Sequence, residues 1–227
     1  MISKPQKLRP LAIRQDVEAS RPLPLGRFWQ ELCRGMWLFC DTFSTEERCY
    51  ALLRPATDRP ALPLNPRQLQ RMESVLLGTP PKVVAMESGR SLSSVTMGMQ
   101  ECLRRMGLNN RSAQASVLLT MAARALHRPE AAPQLGRESE VQVDGVAYRV
   151  VSALRPDLQF PVPLSLAEAA VVRSLVAGDS YAEISGQRAT SPRTVANQLA
   201  TAFRKLGVSG RRAALARLIQ HSAQQGF

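Results

Sequence analysis

The chain has 227 residues, enough for one large domain or two small ones, and its hydrophobic fraction of 44% suits a globular core. Aromatic residues make up only 5%, so we expect a core of aliphatic side chains, which favours helices over a β-sandwich. The formal net charge of +12 indicates a polyanionic partner, and since no apolar run reaches the length of a membrane span, no membrane partner is expected.

The beginning of the chain is basic and polar and lacks the apolar centre of a signal peptide, so we expect a cytoplasmic protein. Residues 1–24 are expected to form a basic flexible tail. Residues 25–61 are expected to hold a short helix, from Gly26 to Gly35, and a β-hairpin with a polar turn at Ser44–Glu47.

A second hairpin is predicted over 140–161, where Asp144-Gly145 is a strong turn signal. Residues 128–139, just before it, have the composition of an exposed linker. A lone two-stranded hairpin is marginally stable in water. The two hairpins therefore pair with each other, or each packs on its own helices, and the sequence leaves both arrangements open.

The four cysteines are Cys33, Cys40, Cys49 and Cys102. None of them forms a CxxC pair, and no histidine lies near them at the spacing of zinc ligands. We therefore expect buried free thiols, and no metal or other cofactor.

Four helices are predicted between residues 162 and 224. The first follows Ser165 and ends at Gly178, and the second begins with a capping box at Ser180–Glu183. Ser191 is the predicted N-cap of the third helix, which ends at Gly207. The buried stripe of this third helix is expected to consist of Val195, Leu199, Phe203 and Leu206.

The segment 62–127 follows the same plan, and it aligns with 162–224 without a gap at an offset of 100 positions. Its predicted helices are Arg67–Leu77, Pro81–Ser88, a third capped by Ser91, and a fourth from Arg111 to about Leu126. The fourth helix of the later segment is expected from Arg211 to about Gln224. Identical residues at this offset include Pro63/Pro163, Ser74/Ser174, Gly78/Gly178, Ser91/Ser191, Val95/Val195, Arg104/Arg204, Gly107/Gly207, Arg111/Arg211 and Leu118/Leu218.

The motifs of both segments resemble the LuxR/NarL/FixJ-type helix-turn-helix of bacterial regulators. The later segment carries the resemblance through Leu164-Ser165 with Glu168, Gly178, Glu183-Ile184, Ser191–Val195, and Lys205–Val208 with Arg211. The earlier one carries it through Leu64 with Arg67, Gly78, Lys82, Ala85, Ser91–Val95, and Arg105–Leu108 with Arg111. Two positions depart from the family pattern. The lysine that usually enters the groove is Ala196 or Thr96, and the usually buried leucine of the second helix is Arg188 or Ser88.

The resemblance implies a mainly α fold with small β-hairpins (α+β), in which two tandem four-helix units are each preceded by a hairpin. It also implies a transcription regulator, nucleoid-associated when bound, that reads the major groove of double-stranded DNA through the third helix of one or both units. The candidate DNA-binding residues are Arg188, Arg193, Thr194, Asn197, Gln198, Thr201 and Arg204 in the later unit, and Lys82, Ser94, Thr96, Met97, Gln100 and Arg104 in the earlier one.

Members of the family commonly dimerise through the fourth helix, which implies either a homodimer or an intramolecular pseudo-dimer. The residues expected at that contact are Val117, Leu118, Met121, Leu215, Leu218 and Ile219. The alternative function is an adaptor whose degenerate units bind RNA polymerase or another regulator, and Glu101 and the missing groove lysines favour it. The serine, histidine and acidic residues form no nucleophilic pattern, so an enzyme is not expected.

Overall fold

The computed structural model describes residues 8–56, 63–108, 112–127, 135–156 and 159–224. In these ranges the elements of the amino-terminal part are α1 (Arg9–Ala19), β1 (Arg21–Pro24), α2 (Leu25–Cys33), β2 (Trp37–Ser44) and β3 (Arg48–Pro55). They are followed by α3 (Pro66–Leu76), α4 (Pro81–Glu87), α5 (Leu92–Arg105), α6 (Ser112–His127), β4 (Leu135–Val143) and β5 (Val146–Leu154). The last four helices are α7 (Leu166–Ala177), α8 (Tyr181–Gln187), α9 (Pro192–Leu206) and α10 (Arg211–Gln224).

The strands form one five-stranded antiparallel sheet in the order β1-β4-β5-β3-β2. The two predicted hairpins pair with each other through β3 and β5, where Ala51 lies opposite Val151. This answers the question that the sequence left open. The turn between β4 and β5 lies at Asp144 and Gly145, whose φ values of 51° and 75° are the positive angles that a tight hairpin turn requires.

Helices cover both faces of the sheet, because successive side chains of a strand point to opposite faces. Leu52 and Val150 pack with Ala12 of α1 on one face. Leu53 and Val151 belong to a larger buried cluster on the other face, to which α2 and α6 contribute. The sheet and its covering helices thus form an α+β core, and four of the helices, α3 to α6, lie between β3 and β4 in the chain.

The prediction of a flexible tail over 1–24 is wrong from residue 9 onward, and residues 1–7 lie outside the described ranges. Arg9 Nε of α1 donates to Asp41 Oδ2 of β2 at 2.7 Å. Asp16, only 1% exposed, accepts from Ser152 Oγ at 2.7 Å and from Tyr50 OH at 3.2 Å. These partners are distant in sequence, so local composition could not reveal that α1 is fixed to the sheet.

The predicted linker over 128–139 is also shorter than expected. Strand β4 already begins at Leu135, five residues before the predicted start of the second hairpin, and residues 128–134 are outside the described ranges. The edge strand β1 explains the extension, since Pro24 lies opposite Leu135 and Arg21 lies opposite Glu138. A strand therefore continues where composition alone indicated a loop.

The two helical units repeat their boundaries along the chain. The first three helices begin at Pro66, Pro81 and Leu92 in the earlier unit, and each start recurs 100 positions later. Ser91 and Ser191 cap the third helices in the same way, each accepting from the backbone N–H three residues on at 3.1 Å. The fourth helices begin at Ser112 and Arg211, and Arg111 lies outside the described residues.

The earlier unit is joined to the sheet core. Phe39 N of β2 donates to Met106 O, at the end of α5, at 2.8 Å. Trp29 Nε1 of α2 donates to Glu73 Oε1 at 2.7 Å, and the other oxygen of this carboxylate lies 2.9 Å from His127 Nε2. These contacts tie α3, α5 and α6 to α2 and β2.

The later unit attaches to the earlier one through the fourth helices. Val117 of α6 is buried in one cluster with Leu215, Leu218 and Ile219 of α10, and Met121 packs against that cluster. Leu118, which we expected at the same contact, is buried instead in the core of the earlier unit. The four buried residues of the contact are at most 6% exposed, so this apolar surface is already covered within the chain.

Candidate nucleic-acid interface

Helix α9 is buried along one side and open along the other. Its buried residues, Val195, Leu199, Ala202 and Leu206, recur at intervals of four, three and four, the spacing of one helical face. Phe203, which we expected in this stripe, is only half-buried because its position falls beside that face. The exposed residues of α9 are Pro192, Arg193, Thr194, Asn197, Ala200, Arg204 and Lys205.

The cations around this open side differ in whether a carboxylate binds them. Lys205 Nζ donates to Glu168 Oε2 of α7 at 2.7 Å, and this hydrogen bond lowers the pKa of Glu168. Arg193 and Arg204 are exposed and make no ion pair with any described residue, and neither does Arg188 in the turn before α9. Three guanidinium groups are therefore free to bind an outside anion.

Three candidate residues of α9 are less available to a ligand than the sequence indicated. Gln198 is half-buried, and its Oε1 is buried without a hydrogen-bond partner among the described residues. Thr194 is exposed, but its Oγ1 lies 2.9 Å from Ser191 Oγ, so it shares a hydrogen bond at the cap. Thr201 is half-buried. The open side thus consists chiefly of Arg193, Asn197 and Arg204, beside the small side chains of Ala196 and Ala200.

The corresponding face of α5 has its cations neutralised from within. Arg104 donates twice to the carboxylate of Glu101, at 2.7 and 2.8 Å, and Arg105 Nε donates to the same carboxylate at 3.0 Å. These hydrogen bonds from Arg104 and Arg105 lower the pKa of Glu101 to about 2. In the later unit Glu101 corresponds to Thr201, so no such carboxylate stands beside Arg204.

Large apolar side chains are exposed on α4 and α5. Met86 is 75% exposed and Met97 is 68% exposed, with Leu92 and Val83 less so. The corresponding positions of the later unit are Gly186, Asn197, Pro192 and Glu183, so the same scaffold presents polar or small groups there.

The remaining candidates of the earlier unit lie on the same two helices, α4 and α5. Lys82, Thr96 and Gln100 are exposed and Ser94 is half-buried. Thr96 Oγ1 donates to Leu92 O at 2.9 Å, so its hydroxyl is bonded to its own helix.

Sequence reasoning did not single out Arg212 and Arg217, which line a cleft between the two units. No local signal marks them, because the cleft forms only when α10 packs beside the turn between α3 and α4.

Comparison with protein-family models finds one match, to the bacterial regulatory proteins of the luxR family, over residues 162–218. The match spans α7, α8, α9 and the first half of α10, so this part of the chain is a LuxR-family helix-turn-helix domain. It contains a single copy and leaves the earlier unit unmatched. Comparisons with curated proteins and with solved structures give no match. Among the described helices, none is both long and apolar enough to cross a membrane.

Proposed function

We propose that this chain is a sequence-specific transcription regulator that reads the major groove of double-stranded DNA through α9. A LuxR-type helix-turn-helix suggests DNA-binding transcription regulation. The observation that carries the finer proposal is the open side of α9, where Arg193, Asn197 and Arg204 are exposed and the two arginines have no ion pair with a described residue.

The side chains on this face suit close contact with base edges. Ala196 and Ala200 are small, so the helix axis can approach the groove floor. Asn197 can bond adenine through two hydrogen bonds, and Arg193 or Arg204 can do the same with guanine. Arg188, which is exposed in the turn before α9, would contact a backbone phosphate.

We also propose that the two helical units act as an intramolecular pseudo-dimer. Val117 and α10 bury a shared apolar cluster, and the residues that a homodimer would need are covered by it. The two third helices would then face one DNA site, about 34 Å apart if they occupy successive turns of the major groove. Because their exposed residues differ, the target would be an asymmetric site.

A second function is favoured by the exposed Met86, Leu92 and Met97 of the earlier unit. Exposed methionines and other large apolar side chains are common at protein-binding sites. In this alternative the earlier unit is an adaptor surface for RNA polymerase or another regulator, while α9 alone holds the DNA.

The direct test is an electrophoretic mobility shift with genomic fragments at low salt, followed by selection of the bound sequences. The variants Arg193→Ala and Asn197→Ala are compared with Arg34→Ala, an exposed arginine at the end of α2 and far from α9 in the chain. Loss of binding in the first two but not in the control supports the proposal. Equal binding by all three would remove it.

A further inference from the structure

We infer that the cleft between the two helical units is a binding site for a phosphate group. One wall is the turn between α3 and α4, with Gly78, Thr79 and Pro80. The opposite wall is the turn between α9 and α10, with Ser209, and the start of α10. Two adjoining cavities of about 460 and 540 Å³ lie between these walls, which is room for a small ligand or for a backbone phosphate.

The described side chains that line the cleft carry positive charge and no negative charge. Four arginines line the two cavities, and none of the described lining residues is acidic. The arginines are Arg204, Arg211, Arg212 and Arg217.

Arg211 and Arg212 are adjacent in the chain but differ in their hydrogen-bond partners. Arg211 donates to the backbone carbonyl oxygen of Asp179, so it stabilises the turn between α7 and α8. Arg212 makes no hydrogen bond or ion pair with any residue that the structure describes. Burial lowers the pKa of both guanidinium groups, and only at Arg211 do nearby Asp179 and Glu183 oppose the shift.

A partly desolvated cation without a counter-charge is unfavourable, and an anion from solution relieves that cost. Among the four arginines, Arg212 is therefore the one whose pairing with an anion should be most favourable in free energy. It also lies in the first turn of α10, a helix of 14 residues, whose positive dipole end attracts the same charge.

Backbone donors complete the site. The first hydrogen bond of α10 runs from Ala214 N to Gly210 O at 2.9 Å, so the N–H groups of 211–213 precede the helical ladder. Thr79 and Ser209 add hydroxyl groups to the lining. A forked guanidinium beside free N–H groups suits the several oxygens of a phosphate better than a single halide or a carboxylate.

Two sources can supply this phosphate: a free phosphorylated small molecule, or the backbone of DNA bound on α9. The second is possible because Arg204 belongs both to the cleft and to the open side of α9. In either case the phosphate would bridge both walls and so fix how the two units are set relative to each other. Only the second source depends on DNA binding by α9.

The first arm of the test measures the melting temperature of the full chain with increasing pyrophosphate at constant ionic strength. We expect a saturable rise of about 2–4 °C for the parent chain and for the control Arg34→Gln, because a ligand that binds only the folded state stabilises it. Arg212→Gln should abolish the rise. Thr79→Asp places a carboxylate on the opposite wall, and it should abolish the rise without lowering the basal melting temperature.

The second arm measures DNA affinity as a function of salt for the same variants. If the phosphate comes from DNA, Arg212→Gln lowers the slope of log K against log salt by about one, and pyrophosphate alone gives no thermal shift. If the source is a free molecule, the thermal shift appears and the slope is unchanged. The site is refuted if Arg212→Gln and Thr79→Asp alter neither measurement. Loss of DNA binding in general, with the thermal shift intact, would refute only the function proposed for α9.

Discussion

The first three helices of the two units begin at matching positions, but their exposed surfaces differ in charge and polarity. On α9 the open side carries cations that no described carboxylate neutralises, whereas on α5 Glu101 binds both Arg104 and Arg105. Exposed methionines stand where the later unit has Gly186 and Asn197. The comparison teaches that the scaffold and its function are set by different residues: local caps and the buried stripe define the helices, and the outward side chains alone decide what they bind.

The units also differ in how they are held. The turn after α5 packs closely against β2 at Gly107, whereas the space beside the corresponding Gly207 in the turn after α9 is open. The earlier unit is thus part of the sheet core, and the later one is attached mainly through α10. The four predictions that follow test the differences between the two units, beginning with the largest expected effect.

Gly107→Ala and Gly207→Ala test this difference in attachment. Both glycines have positive φ, which costs an alanine about 1–2 kcal/mol. At Gly107 a Cβ would also lie 2.6 Å from Phe39 O, a backbone atom that cannot move aside cheaply, whereas at Gly207 it would meet nothing within 4 Å. We expect a loss in the free energy of unfolding of about 3 kcal/mol or more at 107 and about 1 kcal/mol at 207, measured by urea denaturation. Equal losses would mean that the earlier unit is not braced on the sheet.

The next prediction concerns DNA affinity at the matched pair Asn197 and Met97. Asn197→Ala should lower affinity for the selected site about 10-fold, because a two-bond contact to a base is worth roughly 1–3 kcal/mol. Met97→Ala should change it less than twofold, since a thioether offers little to a base edge. Fluorescence anisotropy with a labelled duplex at fixed salt measures both. A larger loss at Met97 would reverse the assignment of the two surfaces.

Glu101→Gln asks whether the earlier unit faces DNA at all. The substitution releases Arg104 and Arg105 from the carboxylate that holds them, and it removes a negative charge. If α5 lies near the duplex, affinity at low salt should rise roughly threefold, and the gain should fade as salt is raised. Unchanged affinity, with the apolar face intact, would favour the adaptor role for this unit.

The sequence predicted the local elements of this fold well, for a physical reason. Ser91 and Ser191 start a helix through contacts within three residues, and Gly207 ends one through its own backbone angle. What the sequence did not predict depends on distant partners. Asp16 fixes α1 only because Tyr50 and Ser152 are brought beside it by the pairing of the two hairpins.

The candidate site follows the same division. The open face of α9 could be predicted from the helical period, since Val195 and Leu199 define the side that is buried. The burial of the amide oxygen of Gln198 could not be predicted in this way. Gln198 lies at the margin of the buried face, where packing against neighbouring helices determines whether a side chain is covered. The cleft at Arg212 was likewise invisible, because its two walls come from different units.

The smallest expected effect is the loss of folding stability when Glu101 is protonated at low pH. The pKa of Glu101 is lowered from 4.5 to about 2 by the hydrogen bonds from Arg104 and Arg105, so the folded chain holds this carboxylate ionised in acid more strongly than the unfolded chain does. Its contribution to stability is therefore complete above pH 4.5 and is lost as the pH falls towards 2. Since the side chains of Glu101 and Arg104 are 36% and 59% exposed, solvent screening keeps this contribution below about 1 kcal/mol. A carboxyl titration followed by NMR should place the midpoint of Glu101 below 4.5. A midpoint near 4.5 would show that Arg104 and Arg105 are not held in solution, and the earlier unit would then have free cations like those of α9.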